Sequence, residues 1–174
     1  MRAYERKNFA KAFPLLLPQA EQGNARAQYA VGRMYEDGYG VAQDYTEAAK
    51  WYRMSAEQGD PHAQHALSVM YAVGWGVPAD AKESAMWVRK AATQGYYYAE
   101  NDLGSKYANG RGVPKDYVLA YMWFDLGATT APSSVAGVIA KSRDEVARNM
   151  TPEQIARAKE LANQCRTSNF TRCE

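Results

Sequence analysis

The segment TQGYYYAENDLGSKYANGRGVPKDYVLAYMWFDLGA, residues 93–128, is the third writing of a pattern that the chain repeats every 36 residues. Ala27, Ala63 and Ala99 correspond, as do Val31, Leu67 and Leu103, and Tyr35, Tyr71 and Tyr107. Two glycines follow in each copy, at Gly38 and Gly40, Gly74 and Gly76, and Gly110 and Gly112, and then Val41, Val77 and Val113. Asp44, Asp80 and Asp116 open a second half that carries Trp51, Trp87 and Trp123 and closes on Ala56, Ala92 and Ala128. Self-similarity at this period is the signature of stacked helical units, each too small to bury its own apolar face.

Each copy reads as helix, glycine turn, helix. Ala27, Ala30, Val31, Met34 and Tyr35 recur at three- and four-residue steps, so residues 25–37 form a helix with one apolar face. Gly38 ends it. The Gly38 and Gly40 spacing suits a backbone that reaches positive φ or passes close to a neighbour, where a Cβ would obstruct. Asp44 and Asp80 are expected as N-caps, with Glu47 and Glu83 completing capping boxes, whereas Leu119 takes that place after Asp116. In the second helix Ala48, Trp51, Tyr52, Ser55 and Ala56 share a face, and the small residues let the next copy approach.

The ends depart from the pattern. Residues 1–23 hold a second-helix half only, in which Phe9, Ala12 and Ala20 precede Tyr45, Ala48 and Ala56 by one period. Pro14 and Pro18 inside this half predict a kinked or shortened helix. Repeats at 24–60, 61–96 and 97–132 follow, then capping helices over 133–164 and a tail over 165–174. Thr151, Pro152 and Gln154 are an N-cap, a first-turn proline and a capping-box residue, so the last helix should run over about residues 152–164.

Composition narrows the function. The 21 basic and 19 acidic residues among 174 nearly balance, with no basic block, which excludes nucleic acid as the main partner. No apolar run is long enough to span a membrane, and the N-terminal residues lack the layout of a signal peptide. Cys165 and Cys173 lie together at one end of a chain otherwise free of cysteine. They are either two unrelated thiols in a reducing cell or a disulfide that closes a short loop and adds about 2 to 3 kcal/mol. Their isolation favours the disulfide and an oxidising compartment.

The joint spacing resembles the Sel1-like repeat family, a relative of the tetratricopeptide repeat, through the pattern AxAQYxxGxxYxxGxGVxxDxxxAxxWYxxxAxxG carried by residues 25–59. Ser68 departs from it in place of the first-helix glycine, Val88 in place of the aromatic after Trp87, and Gly127 and Ala131 at the end of repeat 3. The resemblance implies an all-α fold, a right-handed α-solenoid of antiparallel helix pairs whose first helices line a concave face. It also implies binding or scaffolding of other proteins, frequently in signalling or at the bacterial cell envelope.

Aligned with a tetratricopeptide first helix, the inward-facing positions are Arg26, Tyr29, Arg33, Glu36 and Asp37, then His62, His65, Val69, Ala72 and Val73, then Tyr98, Asn101, Ser105, Ala108 and Asn109. They differ between copies where the packing positions recur, as residues that read a partner would and as unconstrained surface would too. Tyr39, Trp75 and Arg111, the odd residues of the glycine turns, are expected at the rim. Trp51, Trp87 and Trp123 are expected in the core.

Chemistry finds little support. His62 and His65, three residues apart, lack the cysteine or carboxylate partners of a metal site, the glycine turns lack a phosphate loop's strand and lysine, and no serine has a triad. The expected function is therefore non-catalytic, without cofactor or metal: a protein or peptide is held on concave and rim surfaces by a monomer or weak homo-oligomer, in the periplasm or at the envelope. The alternatives are a cell-wall-related ligand-binding protein or hydrolase using the His62 and His65 region, a self-assembling structural subunit, and a cytoplasmic location.

Overall fold

A computed structural model describes the backbone of residues 2–170 and 173, and the side chains of those from residue 11 onward. Phe9, expected to match Tyr45, has its side chain outside the described residues. The described residues form nine helices: α1 (Arg2–Glu21), α2 (Ala25–Asp37), α3 (Tyr45–Glu57), α4 (Pro61–Val73), α5 (Ala81–Ala92), α6 (Tyr97–Asn109), α7 (Tyr117–Thr130), α8 (Ser133–Ala147) and α9 (Pro152–Thr167). The chain divides into two compact units, one up to Asp80 and one from Ala81 onward. In the first, α2 packs on α1 and α3, and α3 on α4; in the second, α6 packs on α5 and α7, while α7 also meets α8 and α9. The architecture is all-α, with sequential helices in antiparallel pairs.

Local chemistry sets the helix ends. Asn24 and Asp60 accept the N–H groups of Ala27 and Ala63, and Asp44 and Asp116 cap α3 and α7 in the same way. Gly38, Gly74 and Gly110 end α2, α4 and α6 in the left-handed region, each with its N–H on the carbonyl four residues back. The second glycine of the turn is required by contact as well as by conformation. A Cβ on Gly76 would lie 1.9 Å from the Tyr45 carbonyl oxygen, and one on Gly112 would lie 1.8 Å from that of Ala81. No side chain fits there.

The core follows the repeating positions. Trp51, Trp87 and Trp123 are buried, as are Val31, Leu67 and Leu103. Inside α2 and α6, glycine lets an aromatic ring press on the backbone: a Cβ on Gly32 would meet the Tyr52 ring at 2.7 Å, and one on Gly104 the Phe124 ring at 2.9 Å. Polar ties repeat as well. The buried Gln28 and Gln64 amides donate to the carbonyls of Ala20 and Ala56 at 3.0 and 3.1 Å, and the Gln58 amide donates to Gln28 Oε1 at 2.6 Å. The first two bonds fasten the start of one helix to the end of the helix before it, and the third ties the start of α2 to the end of α3.

Three expectations are corrected in whole or part. Of the kinked or shortened helix expected at the start, the shortening does not occur: α1 runs through Pro14 and Pro18, with Phe13, Leu16, Leu17 and Ala20 packed against α2 and α3 residues, and the four-residue spacing puts both missing donors on one stripe. Asp44 caps α3, but the capping box is not closed there, since Glu47 turns to Lys50. α9 continues to Thr167, past residue 164, before Cys165 bonds to Cys173 in the expected disulfide. At its start the Thr151 and Gln154 capping box forms as read, with Pro152 in the first turn.

Candidate functional site

The first unit holds a concavity between α1 and α2. A cavity of about 240 Å³ is lined by Ala12 and Leu16 of α1, by Tyr29, Ala30, Arg33, Met34 and Asp37 of α2, and by Tyr39 of the glycine turn. Four residues expected on the concave face or rim, Tyr29, Arg33, Asp37 and Tyr39, thus meet around one opening. Arg33 is held to Asp37 at 3.3 Å on the helix surface, one turn away. Burial is the main cause that raises the Tyr29 phenol above its ordinary range, opposed by the nearby Arg33 charge. The phenol therefore stays protonated and presents an apolar ring with a neutral donor.

Tyr29 also joins a ring cluster. Its centroid lies 5.7 Å from that of Tyr52 and 5.7 Å from that of His62, so His62 belongs to the same surface. Glu36 is less available than the sequence suggests, because its carboxylate accepts the Tyr52 hydroxyl. Burial first, and that bond second, push the Tyr52 phenol far above its usual range. Arg26 and His62 are exposed and His65 is half-buried, none of them lining the cavity. Trp75 is exposed as expected, yet it stacks on Tyr45 with centroids 5.0 Å apart.

The second unit has a different surface. Ser105 lines a polar cavity of about 350 Å³ with Asn109, Lys115, Tyr117, Ser142, Glu145 and Asn149 among its walls. Tyr98 and Asn101 stand apart from it. Tyr98 is exposed and belongs to a cluster with Tyr96 and Tyr97, the Tyr97 and Tyr98 rings lying 4.1 Å apart. Arg111 is exposed on its turn. No cluster of three or more His, Cys, Asp or Glu side chains suited to a metal occurs among the described residues.

Two features escaped the sequence reading. The contribution of α1 to the cavity, through Ala12 and Leu16, needs the packed structure. The second is a tie between residues 18 apart: the Arg53 guanidinium meets the Tyr71 hydroxyl, and Arg89 meets that of Tyr107 at 2.6 Å. In the capping region it reverses, with Asp125 accepting from Arg143 at 3.0 Å. The repeat spacing of Arg53, Arg89 and Asp125 was the available signal.

The pattern of the Sel1 repeat matches residues 25–60, 61–96 and 98–129. The chain belongs to the Sel1 repeat family. This Sel1 repeat protein is 38% identical to one from Oxalobacter formigenes whose crystal structure it matches with a TM-score of 0.65, over 72% of this chain and 95% of that one. It is also similar to c5321, described as a protective antigen present in uropathogenic Escherichia coli strains displaying an SLR fold, at 28% identity and a TM-score of 0.67. That match covers 93% of this chain and 43% of the other, so the Sel1 repeat protein spans less than half of c5321. None of the curated proteins compared matches it. Sel1 repeats are generally protein-interaction scaffolds, and no helix among the described residues is long and apolar enough to cross a membrane.

Proposed function

We propose that the protein is a non-catalytic scaffold that holds an extended peptide or a partner helix on the face presented by Tyr29, Arg33 and Tyr39. The observation that carries this reading is the largely apolar cavity between α1 and α2, with the Tyr29 and Tyr39 phenols, the Arg33 guanidinium and the Asp37 carboxylate at its wall. A cavity of that composition takes an apolar side chain of a partner, while Arg33 and the Tyr29 hydroxyl supply direction, since aromatic and Arg side chains dominate interface energetics. His62 extends the same surface through its contact with Tyr29, and Tyr98 and Asn101 offer separate contacts on the second unit.

The test is recovery of partners from the source organism by the wild-type protein and by a variant carrying Tyr29→Ala, Arg33→Ala and Tyr98→Ala. Loss of specific partners is expected; equal recovery by a folded variant rejects the surface. The disulfide supports an oxidising space such as the periplasm or envelope. Thiol titration of the denatured, unreduced protein is expected to find no free thiol, and two free thiols would remove that support.

A further inference from the structure

Position 100 breaks a rule that the chain keeps elsewhere. At the equivalent positions Gln28 and Gln64 are carboxamides, each with its N–H on a backbone carbonyl eight residues earlier, and Gln28 Oε1 accepts from Gln58. In the third repeat the carboxamide is replaced by Glu100, whose side chain is fully buried. Its Oε2 accepts from the Thr130 hydroxyl, as Gln28 Oε1 does from Gln58, residues 130 and 58 being two periods apart. Oε1 is buried and without a partner. By the 36-residue repeat the equivalent of the Ala20 and Ala56 carbonyls is that of Ala92, the acceptor expected opposite this oxygen. That carbonyl already accepts the Gly95 N–H, as those of Ala20 and Ala56 accept Gly23 and Gly59. Two acceptor oxygens facing each other in a buried site repel unless one of them carries a proton.

Among the described residues no charged group balances a charge at this carboxyl. From α7 come Gly127 and the Thr130 hydroxyl, and behind Gly127 lies the Ile139 side chain of α8. Asp125 of α7 is engaged by Arg143 of α8 and Arg166 of α9. Burial, opposed only by the Thr130 hydroxyl, pushes the Glu100 carboxyl up to about 7, with no charged group among the described residues contributing.

We infer that Glu100 is a neutral carboxylic acid in the folded protein, donating through Oε1–H as the glutamines of the other repeats donate through nitrogen, and that its deprotonation unlatches the start of α6. The step is simple: the Oε1–H bond breaks, its electron pair stays on the carboxylate, and the proton passes to water. The place where this happens is the least secured of the three first-helix starts, because Tyr96 gives α6 no side-chain cap where Asn24 and Asp60 cap α2 and α4. The cluster of half-buried Tyr96 and Tyr97 with exposed Tyr98 sits on that turn, so the latch controls how firmly those rings are held.

The sign follows from linkage. The folded value lies above the ordinary 4.5, so the stabilisation is complete below pH 4.5 and is lost as pH rises through about 7. The decisive variant is Glu100→Gln, which supplies the amino group permanently. The ratio of wild-type to Glu100→Gln folding constants is expected to fall about tenfold per pH unit between about 4.5 and 7 and then to level off. A ratio constant over that range overturns the proposal. An independent reading on wild-type protein is the Glu100 carboxyl carbon followed by NMR: a midpoint well above the ordinary carboxylate range is expected, and an ordinary midpoint overturns the latch even if the variant fails to fold. Thr130→Val, which removes the donor that favours the carboxylate, is expected to move that midpoint higher, and a midpoint moved lower would contradict the assigned direction of the hydroxyl.

Discussion

The starts of α2 and α6 occupy the same place in two copies of one repeat, and they are fastened by different chemistry. α2 begins with a side-chain cap from Asn24, an amide bond from Gln28 to Ala20, and a second amide from Gln58 that completes Gln28. α6 begins with tyrosine at the cap and a buried carboxyl at the amide position, bonded through one oxygen to Thr130. Every bond at the first start is indifferent to pH. At the second, one bond depends on a proton, so identical architecture is compatible with unequal persistence.

The largest expected effect comes from moving the carboxyl. Gln28→Glu places it in the first repeat against the Ala20 carbonyl, and at pH 8 this should cost the first unit about 3 kcal/mol, since burial without a counter-charge penalises the ionised form. The folded-state value would be raised, so the cost should vanish as pH falls below the ordinary carboxylate range. Chemical denaturation at pH 8 and pH 4.5 checks both halves, and a loss of equal size at the two pH values would reduce the contrast to packing.

Next in size is the covalent tie that only the second unit has. Replacing Cys165 and Cys173 together by Ser should lower stability by about 2 to 3 kcal/mol through the short loop they close. Native-state hydrogen exchange should register the change around α9 while the α2 amides keep their protection. Equal losses in α2 would mean that the two units unfold as one.

The smallest effects concern the caps. Asn24→Ala should destabilise α2 by about 1 kcal/mol, and Tyr96→Asn should stabilise α6 by about as much once a side chain can accept the Ala99 N–H. Thermal melts of the two variants at pH 5, where Glu100 is protonated, isolate the cap from the latch. If Tyr96→Asn gains nothing, the tyrosine ring is holding the turn by packing.

Much of this was readable in the residues because the chain compares itself with itself. The bounds of α2, the burial of Trp51, Trp87 and Trp123, the start of α9 and the cysteine pairing all follow from spacing and local chemistry. Local rules failed where a distant partner decided the outcome. α1 survives Pro14 and Pro18 because tertiary packing holds what propensity alone would break. Glu36 resembles a groove residue until Tyr52, sixteen positions later, takes its carboxylate. The cavity is legible only in half: α2 announces Tyr29 and Arg33 by their variation between copies, whereas Ala12 and Leu16 of α1 are ordinary helix residues until the two helices meet.

The contact made by Gly76 and Gly112, the second glycines of their turns, has a consequence for how such a chain can lengthen. Gly76 rests on the main chain of Tyr45 and Gly112 on that of Ala81, partners 31 positions earlier in both cases, and in neither is a side chain touched at closest approach. The joint is therefore indifferent to which residue begins the receiving helix: tyrosine serves in one copy and alanine in the next. Each 36-residue segment carries both halves of the fitting, a glycine to dock and a helix start to be docked upon. A duplicated segment would arrive with a working connector already in it.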